Sequence, residues 1–367
     1  MTRIHIAMIT PWNKRGGIAD YSETLYEHLQ DHDNDVKVTP IKLDSESTAN
    51  PWRFVHVLSK VPSNADIIHT QFEAGVFGKF GITGIAAPLY FSRLAENSRP
   101  AVTTLHEVHR SHSHMPLPAD LLLRGRDTFI ERLALRASAR ILVPTNYAAR
   151  VLDERHNKTK NVDTLPHPVQ TDAEPIDTAV AKRQLGYEKP LLLTFGWIES
   201  KKKYRDVFEA MQSLPEVEYL IAGEPRTEAG ETYLKKIKQL AAEYDVDDRV
   251  DFYGYVPKED ISTVFSAADI TVLPYDRVSQ SGVVNQALAH ERPVITTTLP
   301  AFTELKEEYS CLTTYTDSTD LTERIETILS DASERNRLRT AAREYVQTET
   351  WERFADRTVE IYNKIVD

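Results

Sequence analysis

The chain has 367 residues, 41% hydrophobic and 27% charged, enough to build two domains of ordinary size. Its formal net charge of -11 argues against a broad nucleic-acid surface, since little positive charge is there to release counterions from phosphate. The single cysteine, Cys311, excludes an internal disulfide and a multi-cysteine metal site.

Residues 4–9, apolar but for His5, read as a buried strand. They read as a strand rather than a signal peptide, and no apolar run is long enough to span a bilayer, so the expected compartment is the cytoplasm. The stretch Thr10-Pro11-Trp12-Asn13-Lys14-Arg15-Gly16-Gly17-Ile18 follows, and Tyr21, Leu25 and Leu29 then recur at helical spacing. A strand, a Gly-Gly turn and a helix let backbone approach a phosphate closely, although a plain turn has the same pattern. It is neither the GxGxxG of dinucleotide enzymes nor a P-loop, because no Lys-Ser/Thr follows.

Short strands are expected at 36–40 and 65–69, with helices at 21–30 and 53–60. Thr70, Gln71 and Glu73 then read as polar groups at the carboxyl end of a strand, the edge where open parallel sheets bind ligands. The strand at 101–105 also ends on ionisable residues, His106 and Glu107. His106, His109, His112 and His114 tempt a metal assignment. Their spacing is loose and Pro116 and Pro118 follow, so the segment is read as a loop without metal.

Residues 121–140 are expected to be helical, with Leu122, Phe129 and Leu133 on one side and Arg124, Arg126, Arg132, Arg136 and Arg140 interleaved. A solvated face is the expected role, and a peripheral contact with anionic lipid at the inner membrane face is the alternative. A strand at 140–144 follows, with Thr145-Asn146 capping the next helix. The proline-rich stretch 165–176 marks a stiff linker. Beyond it come strands at 191–195, 218–221, 250–252 and 270–273, alternating with helices at 207–214, 234–244 and 261–267. The repeated order predicts an α/β chain of two doubly wound parallel sheets, with the default ligand site in the cleft between them.

Two stretches of the second half bear on anions. Gly196 ends a strand, and Lys201, Lys202, Lys203 and Arg205 put four cations within five residues behind it. At a sheet's carboxyl edge such a run neutralises a pyrophosphate; elsewhere it is a solvated face. Residues 272–297 read as strand, polar loop, helix and strand. The helix opens at Ser281-Gly282, where unpaired N–H groups and the positive end of the helix dipole face the loop, a ready anion site. An ordinary αβ unit is the alternative. Glu291-Arg292-Pro293 stops this helix, and residues 294–296 return as a buried strand.

One spaced set of residues runs through the chain. It comprises Pro11, Gly16-Gly17-Ile18-Ala19-Asp20-Tyr21, Asp66-Ile67-Ile68-His69, Thr104-Leu105-His106-Glu107 and Phe195-Gly196 with Lys202. It continues through Ala222-Gly223, Gly254-Tyr255-Val256, Ala267-Ala268-Asp269-Ile270 with Pro274, and Pro293-Val294-Ile295. In order and spacing this set resembles the family 4 retaining glycosyltransferases of GT-B fold, over essentially the whole chain. Thr350-Trp351-Glu352-Arg353-Phe354 with Tyr362 resembles that family's last helix, which crosses back onto the first domain. The resemblance implies two Rossmann-like domains facing across a cleft. Residues 1–170, completed by 350–367, would be the acceptor side, and 171–349 the nucleotide-sugar side.

The resemblance also implies roles. Gly17, with Gly16 before it, would offer N–H to the donor diphosphate. Lys202 would pair with the same phosphates, and Ser281, Gly282 and Val283 would supply helix-end amides. His106 would sit near the donor sugar, with Glu107 and, on the acceptor side, Glu73 orienting hydroxyls. His106, Glu107 and Lys202 form the expected catalytic set, with no protein nucleophile. Tyr255 and Val256 lie where the family holds the base.

Two departures stand out. Trp197 occupies a donor-site position where the family commonly has Arg, with Lys201, Lys203, Arg205 or Arg277 as substitutes for that charge. Val278 and Gln286 occupy the positions of the family's acidic pair. Ser279-Gln280-Ser281-Gly282 resembles the Ser-Gly version of this loop in some members. That version leaves donor-sugar contacts to Gln280, Ser281 and loop amides, and ribose to Gln286.

The expectation is a retaining, metal-independent hexosyltransferase without a cofactor. It would use a UDP- or GDP-sugar as co-substrate and a glycan, glycolipid or polysaccharide as acceptor. The alternatives are a nucleotide-sugar epimerase and a catalytically silent GT-B binding subunit, the latter motivated by the missing carboxylates.

Overall fold

The first mostly apolar stretch becomes strand β1, Ile4–Thr10, with every residue buried. The computed structural model describes residues 3–12, 17–31, 36–43, 50–78, 84–108, 110, 117–157, 160–169, 173–278 and 280–367. The chain divides into two compact units, Met1–His167 with Trp351–Asp367, and Pro168–Thr350.

In the first unit β1 lies between β2 (Val36–Lys42) and β3 (Ile67–Phe72). Beyond β3 come β4 (Ala101–Leu105), β5 (Arg140–Val143) and β6 (Val162–Thr164), giving the order β2-β1-β3-β4-β5-β6 with parallel pairing throughout. Pro40 is tolerated in β2 because that strand is an edge of the sheet. One face is packed by Phe54, Phe77, Tyr90 and Phe91. The other is packed by Tyr21, Leu25 and Leu29 of the Gly17–Asp31 helix together with Trp351, Phe354, Val359 and Tyr362 of the closing helix Trp351–Val366. This two-sided cover is why the central strands read as mostly apolar stretches rather than alternating ones.

The second unit repeats the plan with β7 (Leu191–Phe195), β8 (Glu218–Ala222), β9 (Val250–Gly254), β10 (Ile270–Leu273), β11 (Val294–Thr297) and β12 (Thr313–Tyr315). Their order is β12-β11-β10-β7-β8-β9, again parallel. Each sheet therefore reverses its winding once, between β1 and β3 and between β7 and β10. The carboxyl ends at such a reversal are where doubly wound sheets leave a crevice.

Several boundaries differ from the sequence expectation. β3 runs on to Phe72, so Thr70 and Gln71 are fully buried sheet residues rather than loop. The expected helix at 53–60 is one α-turn, Arg53–His56, followed by a tighter 3-10 turn, Val57–Lys60. β6 and β12, each three residues long, are sheet edges too short to show a period. Helices Ala86–Ala95, Thr178–Leu185, Pro300–Tyr309, Ser318–Ser330 and Ala332–Thr348 add to those expected. Thr145 caps its helix as expected, its hydroxyl accepting from the Ala148 N–H at 3.1 Å.

The arginine-rich helix, Leu117–Ala137, turns a different face inward. Asp120, Ile130, Glu131 and Ala134 are buried, while Leu121, Leu122 and Phe129 are 56%, 75% and 54% exposed. Glu131 is held inside by Arg155 at 2.6 Å and His156 at 2.9 Å. Among the described residues no helix is long and apolar enough to cross a membrane.

Three neighbouring strand ends of the second sheet close on glycines in the left-handed range: Gly196 at φ 89°, Gly223 at 154° and Gly254 at 83°. At Gly223 a Cβ would stand 2.2 Å from the Gly196 carbonyl oxygen, whereas at Gly254 it would meet nothing within 4 Å. Gly223→Ala is expected to cost roughly 3 kcal/mol or more in urea unfolding, from clash and strain together, and Gly254→Ala about 1 kcal/mol. Equal costs at the two positions would contradict the close approach of these strand ends.

Candidate active site

The carboxyl end of β7 carries the Phe195-Gly196 carbonyls that define the centre of the second unit. Lys202 returns to them from the following loop, which is tied down on both sides. Its N–H donates to the Glu199 carbonyl, its own carbonyl accepts from the Tyr233 hydroxyl at 2.6 Å, and it bridges to Tyr275 beyond β10. Its Nζ donates to the carbonyls of Phe195 at 2.7 Å and Gly196 at 2.9 Å and lies 5.9 Å from the centre of the Tyr275 ring. The residue is 1% exposed. Burial pushes its pKa down to about 7, the neighbouring Lys201 charge adds to the shift and Glu199 opposes it.

The helix Gly282–Ala289 begins against the same spot. A Cβ on Gly196 would lie 3.4 Å from Val283 Cγ2 and 3.6 Å from Lys202 Nζ, so ammonium and first helical turn flank one glycine. Ser281 is the residue before the helix, and its side chain hydrogen-bonds the buried Tyr275 hydroxyl rather than capping the helix. A Cβ on Gly282 would meet nothing within 4 Å. Open space over the helix end, whose first amides have no partner among the described residues, beside a buried lysine ammonium, is an arrangement able to hold an anion.

The first unit offers a neutral site. His106 follows β4 directly, and its N–H donates to the Phe72 carbonyl at 3.0 Å, extending the β3–β4 pairing by one residue. Its Nε2 bonds Gln71 Oε1 at 2.8 Å, and the Gln71 amide reaches His69 Nε2 at 3.3 Å. His69 Nδ1 in turn meets the Tyr362 hydroxyl at 2.5 Å. Burial brings the pKa of both histidines down to about 3, helped at His106 by the nearby His167 and His69. His106 is thus an uncharged imidazole at physiological pH. Tyr21, one turn into the Gly17–Asp31 helix, packs edge-on against it with ring centres 5.0 Å apart. Gly17 opens that helix exposed, with nothing within 4 Å of where a Cβ would be. Glu107 is exposed and Glu73 partly so.

Residues 176–345 match the family model described as glycosyl transferases group 1. Among curated relatives, mannosylfructose-phosphate synthase of Agrobacterium fabrum is 26% identical over 181 residues, 46% of this chain and 39% of that one. D-inositol 3-phosphate glycosyltransferase of Mycobacterium sp. (strain KMS) is 29% identical over 169 residues, 45% of this chain and 38% of that one. The match thus spans about two-fifths of the length of these relatives. Solved structures align over nearly the whole chain. Sucrose-phosphate synthase from Thermosynechococcus elongatus has a TM-score of 0.78 at 19% identity, covering 99% of each chain. HepE of Anabaena in complex with UDP-glucose has a TM-score of 0.74 at 16% identity, covering 99% of this chain and 100% of that one. The fold is GT-B.

Within this GT-B chain the expected site residues fare differently. Lys202, Gly282, Val283 and Ser281 come together around Gly196, as described above. Val256 is buried in the core, while its neighbour Tyr255 is 57% exposed. Val278 also packs on the core, and Gln286 is partly buried with no side-chain hydrogen bond among the described residues. Gln280 is partly buried. Gly16, Ser279, His109, His112 and His114 lie outside the described residues.

Of the cations offered in place of an arginine at Trp197, Lys201 pairs with Glu199, Lys203 with Asp206 and Arg277 with Asp276, while Arg205 bonds the Tyr244 hydroxyl. The sequence reading missed Arg226, whose guanidinium stands over the Trp197 ring. It also missed Tyr275, beside Lys202 in the second unit, and although it placed Gln71 at a sheet edge where ligands bind it did not foresee the hydrogen bonds that join His69, Gln71 and His106 within the first unit. Of the Asp-x-Asp spacings in the chain, Asp245 and Asp247 precede β9 and so stand at the opposite edge of the sheet, while Asp33 and Asp35, which make two more with Asp31, lie outside the described residues.

The sign of the pH effect follows from Lys202. Its folded pKa, about 7, lies below the ordinary lysine value of 10.5, so between these the unfolded chain binds the extra proton and stability rises with pH. The penalty for burying the charge is complete below pH 7. Lys202→Met removes it, so the stability of this variant relative to wild type should be highest near pH 6 and fall steadily toward pH 10. Urea unfolding across that range checks this, and a difference independent of pH would show that the ammonium is not desolvated.

Proposed function

We propose that this protein is a retaining glycosyltransferase that moves a hexosyl unit from a UDP- or GDP-sugar to a hydroxyl of a glycan, glycolipid or polysaccharide. The observation that carries the reading is the buried Lys202 ammonium beside the open amino end of the Gly282–Ala289 helix. Relatives named as a 2-deoxystreptamine glucosyltransferase and a D-inositol 3-phosphate glycosyltransferase support glycosyl transfer as the reaction class. HepE structures that hold UDP or UDP-glucose support a uridine donor.

The chemistry asks for charge placed where charge develops. As the anomeric carbon leaves the donor, its bond to the β-phosphate oxygen breaks and the electron pair stays on the diphosphate. Lys202 and the amides at Ser281, Gly282 and Val283 meet that charge in place of a metal ion. The acceptor hydroxyl adds to the same face of the sugar, which retains configuration, and its proton passes to the departing phosphate oxygen. His106, neutral and fixed by Gln71, acts as a hydrogen-bond partner for a sugar hydroxyl rather than as a base. Glu107 and Glu73 are assigned to sugar and acceptor hydroxyls. Ribose falls to Gln286, and the base to the exposed Tyr255 with backbone at Val256.

The helix Leu117–Ala137 is assigned a peripheral contact with anionic lipid at the cytoplasmic membrane face, because exposed Leu121, Leu122 and Phe129 lie on the same helix as exposed Arg132 and Arg136. Vesicles containing phosphatidylserine should pull the wild type down on sedimentation, and the double change Arg132→Glu, Arg136→Glu should abolish this. Unchanged co-sedimentation would remove the assignment.

The donor site is tested by thermal-shift titration with UDP, GDP and ADP in EDTA. One diphosphate should raise the melting temperature by mass action, and Lys202→Ala should lose the response. Gly282→Ala should keep the unliganded melting temperature, since its methyl meets only open space, yet bind more weakly because that space is the anion's. No shift with any of the three at millimolar concentration would contradict the reading. A shift without turnover on any donor would favour a silent binding subunit, to which the core-packed Val278 already points.

A further inference from the structure

The loops after β7 and β8 run side by side at the carboxyl edge of the second sheet. Gly196 N–H donates to the Ala222 carbonyl at 2.8 Å, and Ile198 N–H to the Glu224 carbonyl at 3.0 Å. Trp197 sits between those two bonds with its side chain outward, 41% exposed. The β8 loop ends at Arg226, immediately before Thr227, which caps the Glu228–Glu243 helix. The Arg226 guanidinium stands over the Trp197 ring, 5.9 Å from its centre.

This cation differs from the others at the edge. Lys201, Lys203 and Arg277 each have a carboxylate, at 2.8, 3.7 and 2.9 Å, and Arg205 donates to Tyr244 at 2.7 Å. Arg226 is exposed and meets no carboxylate among the described residues. An indole face holds a guanidinium in place without neutralising it and leaves its in-plane N–H donors free. That plane of donors matches the paired oxygens of a phosphate. Lys202 Nζ lies against Gly196, the residue before Trp197, so the two cations bracket one turn of backbone.

We propose that Arg226, held by Trp197, is a second diphosphate-binding residue of this unit, gripping phosphate oxygens beside those met by Lys202. This rests on the nucleotide-diphosphate reading above and adds the residue that confers phosphate specificity to it. Trp197 then has a defined part: it is a rigid platform that replaces a carboxylate partner, so the guanidinium is positioned yet keeps its full charge for the ligand.

The experiment measures dissociation constants for UDP, GDP and the corresponding nucleosides by calorimetry, on wild type and on Arg226→Gln, Arg226→Lys, Trp197→Leu, Lys202→Ala and Arg205→Gln. Arg226→Gln should weaken the bound diphosphate on the order of ten-fold or more and leave the nucleoside unchanged. Arg226→Lys should recover part of that loss, and Trp197→Leu should weaken binding in the same direction by less. Arg205→Gln, which removes a charge elsewhere on the surface, should change nothing. The unliganded melting temperature of Arg226→Gln should match wild type, because the residue is exposed. If Arg226→Gln binds diphosphate like wild type while Lys202→Ala does not, Arg226 is outside the site and the proposal falls alone. If wild type binds neither diphosphate, or Lys202→Ala binds as well as wild type, the donor-site reading falls and this proposal with it.

Discussion

The second unit depends on one costly act, the removal of a lysine ammonium from water. Among the described residues Lys202 is compensated by two backbone carbonyls, the face of Tyr275 and the charge of Glu199, which leaves its pKa near neutrality. A buried cation in that state is destabilising until an anion arrives. The surrounding features follow from it. Gly196 adopts φ 89° and its carbonyl accepts from the ammonium, Gly223 is glycine because its neighbour's carbonyl oxygen leaves no room for a Cβ, and Gly282 keeps the space above the helix end open. The strain and the unmet charge sit at the switch point of the sheet, where a doubly wound fold leaves its strand ends free.

The first unit solves the opposite problem. There the histidine at the strand end is kept uncharged by burial, and its ring is fixed by a chain of hydrogen bonds running through Gln71 and His69 to Tyr362 on the closing helix. A neutral, immobile imidazole donates or accepts one hydrogen bond with defined geometry and does not titrate with the medium. In the transfer reaction proposed above, where the proton would pass between substrates, that is the useful state.

Much of the fold was legible because strands covered on both sides leave mostly apolar stretches without strict alternation, and residues 4–9, 191–195 and 270–273 read that way. The three-residue edge strands β6 and β12 carry no such stretch and escaped. Gln71 was read as a loop residue, since nothing local tells a polar residue that β3 continues and that two histidines wait for its amide. The buried face of the Leu117–Ala137 helix was not legible because Glu131 looks like a surface acid until Arg155 and His156 arrive from a later helix. At Lys201-Lys202-Lys203 the sequence shows three equal charges. Only the strand-to-loop geometry turns the middle one inward, and only the pairing of the β7 and β8 loops brings Arg226 to Trp197.

The most direct measurement of the central claim is the proton taken up when a nucleoside diphosphate binds. Calorimetric titration of UDP or GDP at pH 8, in two buffers of different ionisation enthalpy, reads this number without knowledge of sugar or acceptor. With Lys202 near pKa 7 when empty, and ammonium when paired with phosphate, binding should take up most of a proton at pH 8 and much less at pH 6. The uptake should vanish in Lys202→Met. Binding at pH 8 with no proton uptake would mean that Lys202 is already charged or stays away from the diphosphate, and the account of this site would be wrong.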